Sequence, residues 1–234
     1  MEWRRLNLEA IGAELHRLPE AEAAAGEGEP PGVAVIRRLL LGYAYVDELL
    51  AARIDLFAYG AARHMLELNH RVLCGVSPDL RIEFRDHIEA TERWFYDTPD
   101  GGIAGLSDWL RRQGGRPAIP LAAGLVFQAV SAPQLFIEGN RRTAALFASY
   151  VLARGGEPPL VAGPAHFADY DALSTEAVAI DRTGFVDMFA GWRIVRRLTA
   201  FLREESDPRF LVPLGAPRGS GAPPFAGSAP PSPG

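Results

Sequence analysis

The run Glu138-Gly139-Asn140-Arg141-Arg142 holds the residue types that could do chemistry on an anion. It stands just before an apolar stretch read as a helix, so its backbone N–H groups lack intrahelical acceptors and the helix dipole adds positive charge. Together these favour a phosphate. Gly139 lets the backbone come close, successive amides around Gly139 and Asn140 can form a concave nest, and Arg142 can add charge-assisted bonds to the same oxygens. Mg2+ takes oxygen ligands, commonly one carboxylate plus substrate phosphates, so Glu138 is a sensible single ligand beside them. Taken alone, a carboxylate, a glycine and an asparagine before a helix also read as ordinary capping residues, which is the commoner assignment.

The elements that must hold this run are legible on both sides. Leu121 to Val130 is an apolar helix ended by Ser131-Ala132-Pro133, and a second runs from about Arg141 to Ala153 before Gly155-Gly156 and Pro158-Pro159. Upstream, Trp3, Leu6, Ala10, Ile11, Leu15 and Leu18 recur at helical spacing and predict a helix over 2–18. Residues 20–32 are acidic, end in helix breakers and read as a solvated connector. From Val35 to Leu73 apolar residues cover more than one face, which predicts a central helix, broken near Gly60. Residues 81–97 alternate loosely and carry aromatic and β-branched side chains, so they read as a short hairpin. A helix follows from Ile103 to Gly114, and two more cover 170–180 and 182–205, the last with Phe185, Met188, Phe189, Trp192, Val195 and Leu198 as a core stripe. After Asp207 the chain turns to Pro, Gly, Ser and Ala and is expected to be disordered.

Composition narrows the function classes. A net charge of -5 argues against a nucleic-acid binder, because neutralising a polyanion needs a basic face. All 24 cationic side chains are arginine, which matches the bias of a GC-rich genome more than any device. Cys74 is the single cysteine and cannot form an internal disulfide, so a reducing cytoplasm fits, with Cys74 as a small buried hydrophobe. No export signal is evident at the N-terminus, and the charges that interrupt Val33–Leu73 exclude a membrane span there. His64 and His70 stand six apart, which does not give the shared face of a two-histidine metal motif.

With its flanks, the run Ala123–Val161 resembles the Fic/Doc (Fido) superfamily, whose signature is His-x-Phe-x-(Asp/Glu)-(Gly/Ala)-Asn-(Gly/Lys)-Arg between two apolar helices. Phe136 matches the anchoring aromatic, Glu138 the acidic metal ligand, Gly139-Asn140 the anion nest and Arg142 the phosphate arginine. The resemblance covers about residues 40–195. It implies an all-α fold, a compact Fido-type helical bundle with a small β-hairpin flap, placed here over 81–97. It also implies ATP and Mg2+ as cofactors, a nucleotide as ligand and a protein target docking on that flap. The chain then divides into an N-terminal helix and acidic linker (1–32), a Fic/Doc-like helical domain (33–205) and a disordered tail (206–234).

Departures from the signature decide the expected activity. Gln134 occupies the position of the catalytic histidine, and a neutral amide has no basic lone pair to take a proton from an attacking hydroxyl. Arg141 replaces the second glycine of adenylylating members and adds charge and bulk near the phosphates, while Arg141-Arg142-Thr143-Ala144 looks more like the phosphotransferase Doc branch. Ala145 stands where adenylylating members keep a second arginine. His87 and His166 are the substitute bases within reach in sequence, and both read more simply as surface residues. The expectation is a domain that keeps an ATP–Mg2+ phosphate site, descended from protein adenylyltransferases or Doc-type phosphotransferases, with AMP transfer weakened or lost. The alternative is an active transferase of AMP or phosphoryl groups that uses another base, and a third reading is a purely structural helical bundle.

Overall fold

The computed structural model describes residues 3–18, 32–184 and 187–215, the side chains of Asp187 and Met188 excepted. The fold is all-α with one small sheet. Its helices are α1 (Leu8–His16), α2 (Val33–Ala51), α3 (Ala62–Leu73), α4 (Pro78–Glu83), α5 (Arg85–Asp97), α6 (Gly102–Arg111), α7 (Ala118–Val130), α8 (Asn140–Gly155), α9 (Phe167–Val178) and α10 (Asp187–Glu204). No helix among the described residues is long and apolar enough to cross a membrane.

Helix α8 is the element around which the others pack. Every residue from Thr143 to Ala153 is buried, so it has no solvent face, and it pairs most closely with α7, which buries Ala122 to Phe127 and then Ala129 and Val130. The central, all-round buried helix is therefore α8 and not the 35–73 stretch. That stretch splits into α2 and α3, and α2 buries one stripe, Ile36, Leu40, Tyr43, Val46 and Leu50, at the spacing of an ordinary amphipathic helix. Cys74 is buried and free, as expected.

Three sequence expectations are corrected. Residues 81–97 are helical: Pro78 opens α4 at its first turn, and the aromatic and branched residues taken for strand alternation fall at the helical spacing Phe84, Ile88, Thr91 and Phe95. The following turn needs a glycine, since Gly102 has φ +51° and a Cβ there would lie 2.2 Å from the Phe95 carbonyl oxygen.

On α10 the buried row is Gly191, Ile194, Leu198, Phe201 and Leu202, whereas Phe189 and Trp192 are 65% and 59% exposed. Gly191 lets α10 come so close to α7 that a Cβ would meet Phe127 Cζ at 2.7 Å, and that contact turns the aromatic face outward. The Arg196 guanidinium covers the Trp192 ring at 4.9 Å. Phe185 lies outside the described residues.

The chain ends also differ from expectation. Residues 4–6 form β1, paired antiparallel with β2 (Leu211–Pro213), so order continues past Asp207, and the only sheet among the described residues joins 4–6 to 211–213. A 3-10 turn at Pro208–Phe210 precedes β2, the Asn7 backbone N–H donates to the Phe210 carbonyl at 2.8 Å, and Arg209 pairs with Glu14 on α1 at 2.6 Å. Apolar side chains Leu6 and Phe210 are buried there, which offsets the cost of ordering. The acidic connector up to residue 31 and the tail from 216 lie outside the described residues.

Asp47 of α2 anchors this arrangement. Its carboxylate accepts from Arg5 through both Nε, at 3.0 Å, and a terminal nitrogen, and from the Leu6 backbone N–H at 3.0 Å, all in a buried setting. Removing one partner of such a pair leaves the other charge buried and uncompensated. Asp47→Ala is therefore expected to cost about 3–5 kcal/mol in urea-induced unfolding, with a fall in the midpoint that Arg5→Met combined with Asp47→Leu largely reverses.

Candidate functional site

The loop between α7 and α8 carries the residues singled out above. It is held at its entry by Arg182, whose guanidinium donates to the Gln128 side chain and to the Pro133 carbonyl, while backbone bonds join Ala132 to Ile180 and Arg182. Burial pushes the Arg182 guanidinium down to about 10, with Asp181 opposing. The peptide Ala132-Pro133 is cis. Phe136 anchors the middle: it is fully buried, stacks on Phe95 of α5 at 5.3 Å and leans on Phe147 of α8. Trp94 adds an indole N–H bond to the Gln134 carbonyl at 3.0 Å, so α5 covers the loop where a hairpin had been expected.

Asn140 closes the loop into a ring. Its Oδ1 accepts from the Phe136 N–H at 2.8 Å, and its Nδ2 donates to the Phe136 carbonyl at 2.7 Å and to Gln134 Oε1 at 3.1 Å. Gln134 Nε2 in turn donates to the Val130 carbonyl at 3.2 Å. Both ends of the Gln134 amide are thus engaged, and the residue is a strut between α7 and the start of α8.

Gly139 has φ +75°, the left-handed geometry that turns the chain into α8. A Cβ there would lie 3.0 Å from Asn69 Nδ2 and 3.3 Å from Leu73 Cδ2, so the loop packs tightly on α3. The first backbone bond of α8 runs from the Thr143 N–H to the Gly139 carbonyl at 2.9 Å, which leaves the N–H groups of Asn140, Arg141 and Arg142 without intrahelical acceptors. Beside them the Glu138 side chain is exposed and makes no hydrogen bond or ion pair among the described residues. Its backbone carbonyl accepts from Asn69 Nδ2 at 2.8 Å, and the same amide reaches Thr143 Oγ1 at 3.2 Å.

The two arginines diverge. Arg141 pairs with Asp171 of α9 at 2.6 Å, and its carbonyl accepts from the Tyr170 hydroxyl at 2.7 Å. Its guanidinium is therefore committed to α9. Arg142 donates to the Val72 carbonyl at the end of α3 at 2.8 Å, and its pKa is lowered first by burial and then by the charge of Arg38, with Glu138 opposing.

Neither substitute base joins this group. His166 is paired with Glu205, and His87 stands about two turns before Trp94 on α5, with a buried Nε2 that has no hydrogen-bond partner.

Family models, curated proteins and solved structures give no match to this chain. The Fic/Doc likeness therefore rests on the 134–142 motif and its setting.

Among the described residues no group of three or more His, Cys, Asp or Glu side chains could cage a metal. Glu138 alone suits Mg2+ only where a ligand's phosphates supply further oxygens. Ile137 and Glu138 are exposed at the head of the loop, and cavities of about 290 Å³ at Thr98–Asp100 and Pro133 and about 730 Å³ between Phe57–Met65 and α6 do not include residues 134–142 in their walls.

Sequence reasoning missed Asn69, Trp94, Arg182 and Arg38, which act on the motif from other elements. A bulky backbone at 139 or a lost clasp should be costly. Gly139→Ala is expected to lose about 1–2 kcal/mol to the left-handed strain, and Asn140→Ala about 3 kcal/mol for three hydrogen bonds, both read as lowered urea midpoints with an unchanged slope.

Proposed function

We propose that this chain is a Fic/Doc-like domain that holds the phosphates of a nucleotide, ATP with Mg2+, on the 138–142 cradle, and that it has lost most or all transferase activity. The observation that carries the reading is the left-handed Gly139 opening a buried helix whose first N–H groups are unspent, directly after an exposed carboxylate with no partner. A capping residue would satisfy those groups with its own side chain, and Asn140 spends its side chain on Phe136 and Gln134 instead. The N–H groups of Asn140 to Arg142 would hold the anion, Arg142 would add charge, and Glu138 would share the metal with the phosphates. Bound Mg2+ would neutralise charge on the phosphates.

Loss of transfer follows from the hydrogen bonding of Gln134. An attacking protein hydroxyl must give up its proton, and the amide at this position accepts from Asn140 and donates to Val130, with no basic lone pair for the task. Loss of a general base costs about 10²–10⁴ in rate. His166 is occupied by Glu205, and the His87 Nε2 is buried on the covering helix. A cytoplasmic location and a protein target facing α5 belong to the same reading.

The test uses purified full-length protein, ATP labelled at the α or γ position, and lysate. Wild type is expected to show a rise in melting temperature with ATP and Mg2+, reduced in Glu138→Ala, and no labelled target. Gln134→His is expected to label a target, at the α position for AMP transfer and the γ position for phosphoryl transfer. A wild-type melting temperature indifferent to ATP and Mg2+ would overturn the binding reading, and wild-type labelling that vanishes in Glu138→Ala would make the chain an active transferase.

A further inference from the structure

Arg142 does not reach the end of α3 alone. Arg38 of α2 donates to the Leu73 carbonyl at 2.7 Å, next to the Val72 carbonyl that Arg142 occupies at 2.8 Å. Two half-buried guanidiniums thus stand against successive carbonyls, beside the point where Gly139 packs on Asn69 and Leu73. Glu67 is already spent, since it binds both Arg71, at 2.7 Å, and Arg81, at 2.9 Å. Neither Arg38 nor Arg142 forms an ion pair with a carboxylate among the described residues, and each guanidinium has five N–H donors of which one is used. Asn69, fully buried and bonded through its Nδ2 to the same loop, keeps an Oδ1 with no partner.

Two like charges held together in a partly desolvated place cost free energy unless an anion offsets them. Capping the last turn of α3 explains one donor from each side chain, and the Glu138 carboxylate favours the charge on Arg142 without forming an ion pair with either guanidinium. We infer that Arg38 and Arg142 form a two-guanidinium clamp for a second phosphate, so that the cradle selects di- and triphosphates over monophosphates. This rests on the anion-binding reading of the 138–142 cradle. Planar guanidiniums suit this role because each can bind two oxygens of one phosphate. The amides of the α8 N-terminus would take one phosphate and the clamp its neighbour.

The experiment is calorimetric titration of the full chain with sodium pyrophosphate and, separately, sodium orthophosphate, for wild type, Arg38→Gln and Arg142→Gln, with circular dichroism melts of each. Wild type is expected to bind pyrophosphate at least tenfold more tightly than orthophosphate. Arg38→Gln should weaken pyrophosphate about tenfold and leave orthophosphate within threefold, while Arg142→Gln weakens both.

Pyrophosphate binding by Arg38→Gln equal to wild type would leave Arg38 a helix cap and overturn the clamp, with the cradle intact. A wild type without preference between the two anions would also overturn it, even if Arg38→Gln failed to fold. A wild type that binds neither anion, and whose melting temperature ATP and Mg2+ do not move, would remove the cradle itself and the clamp with it.

Discussion

The burial of α8 on every side is the constraint on which the rest depends. A helix with no solvent face from Thr143 to Ala153 cannot rotate or slide without breaking the core, so its first turn is fixed in space. Its N-terminal N–H groups are then displayed at a defined place, and the loop before it must meet that place from the end of α7. Rigidity of this kind is what a binding site needs from its scaffold. Glu138 at the head of the cradle is exposed, and the geometry around it is set by a core that is not.

That constraint explains why so many side chains converge on a short loop. Phe136 fills the space between Phe95 and Phe147, Asn140 ties its backbone, Asn69 holds the Glu138 carbonyl, and Arg182 and Trp94 fix the entry. A buried backbone polar group left unpaired would cost as much as a lost hydrogen bond, and a loop this close to the core meets that demand with side chains. The Glu138 carboxylate is the exception: it is exposed, next to the N–H groups of 140–142 that have no intrahelical acceptor.

Legibility in the sequence followed the range of the interactions. Helices α7 and α8 were readable because proline and glycine punctuate their ends locally, at Pro133 and at Gly155-Gly156. The motif residues were readable because they are contiguous. Asn69 and Arg38 were not, since their contacts to this region span 69 and 35 residues and leave no local pattern. For 81–97 the period was misread, as aromatic residues at spacings of three and four passed for alternation. The outward aromatic face of α10 was hidden for a different reason: Gly191 chose the buried row, and a stripe of large residues carries no mark of which neighbour can come close. β1 is held through Arg5 and Leu6 by Asp47, a residue whose sequence context suggested only an interruption of an apolar run.

Gln134 joins the mechanical and the chemical sides of the site. Its amide accepts from Asn140 and donates to Val130 at the same time, and it does so at any pH because neither group titrates. A neutral histidine could also accept at one nitrogen and donate at the other, but on gaining a proton it becomes a donor at both. It could then no longer accept from Asn140, and the clasp that closes the loop would lose a bond at the moment the base took up its proton. Glutamine removes that conflict. On the function proposed above, the same glutamine that leaves the cradle without a base also keeps its ring of hydrogen bonds closed at any pH, which suits holding an anion more than acting on one.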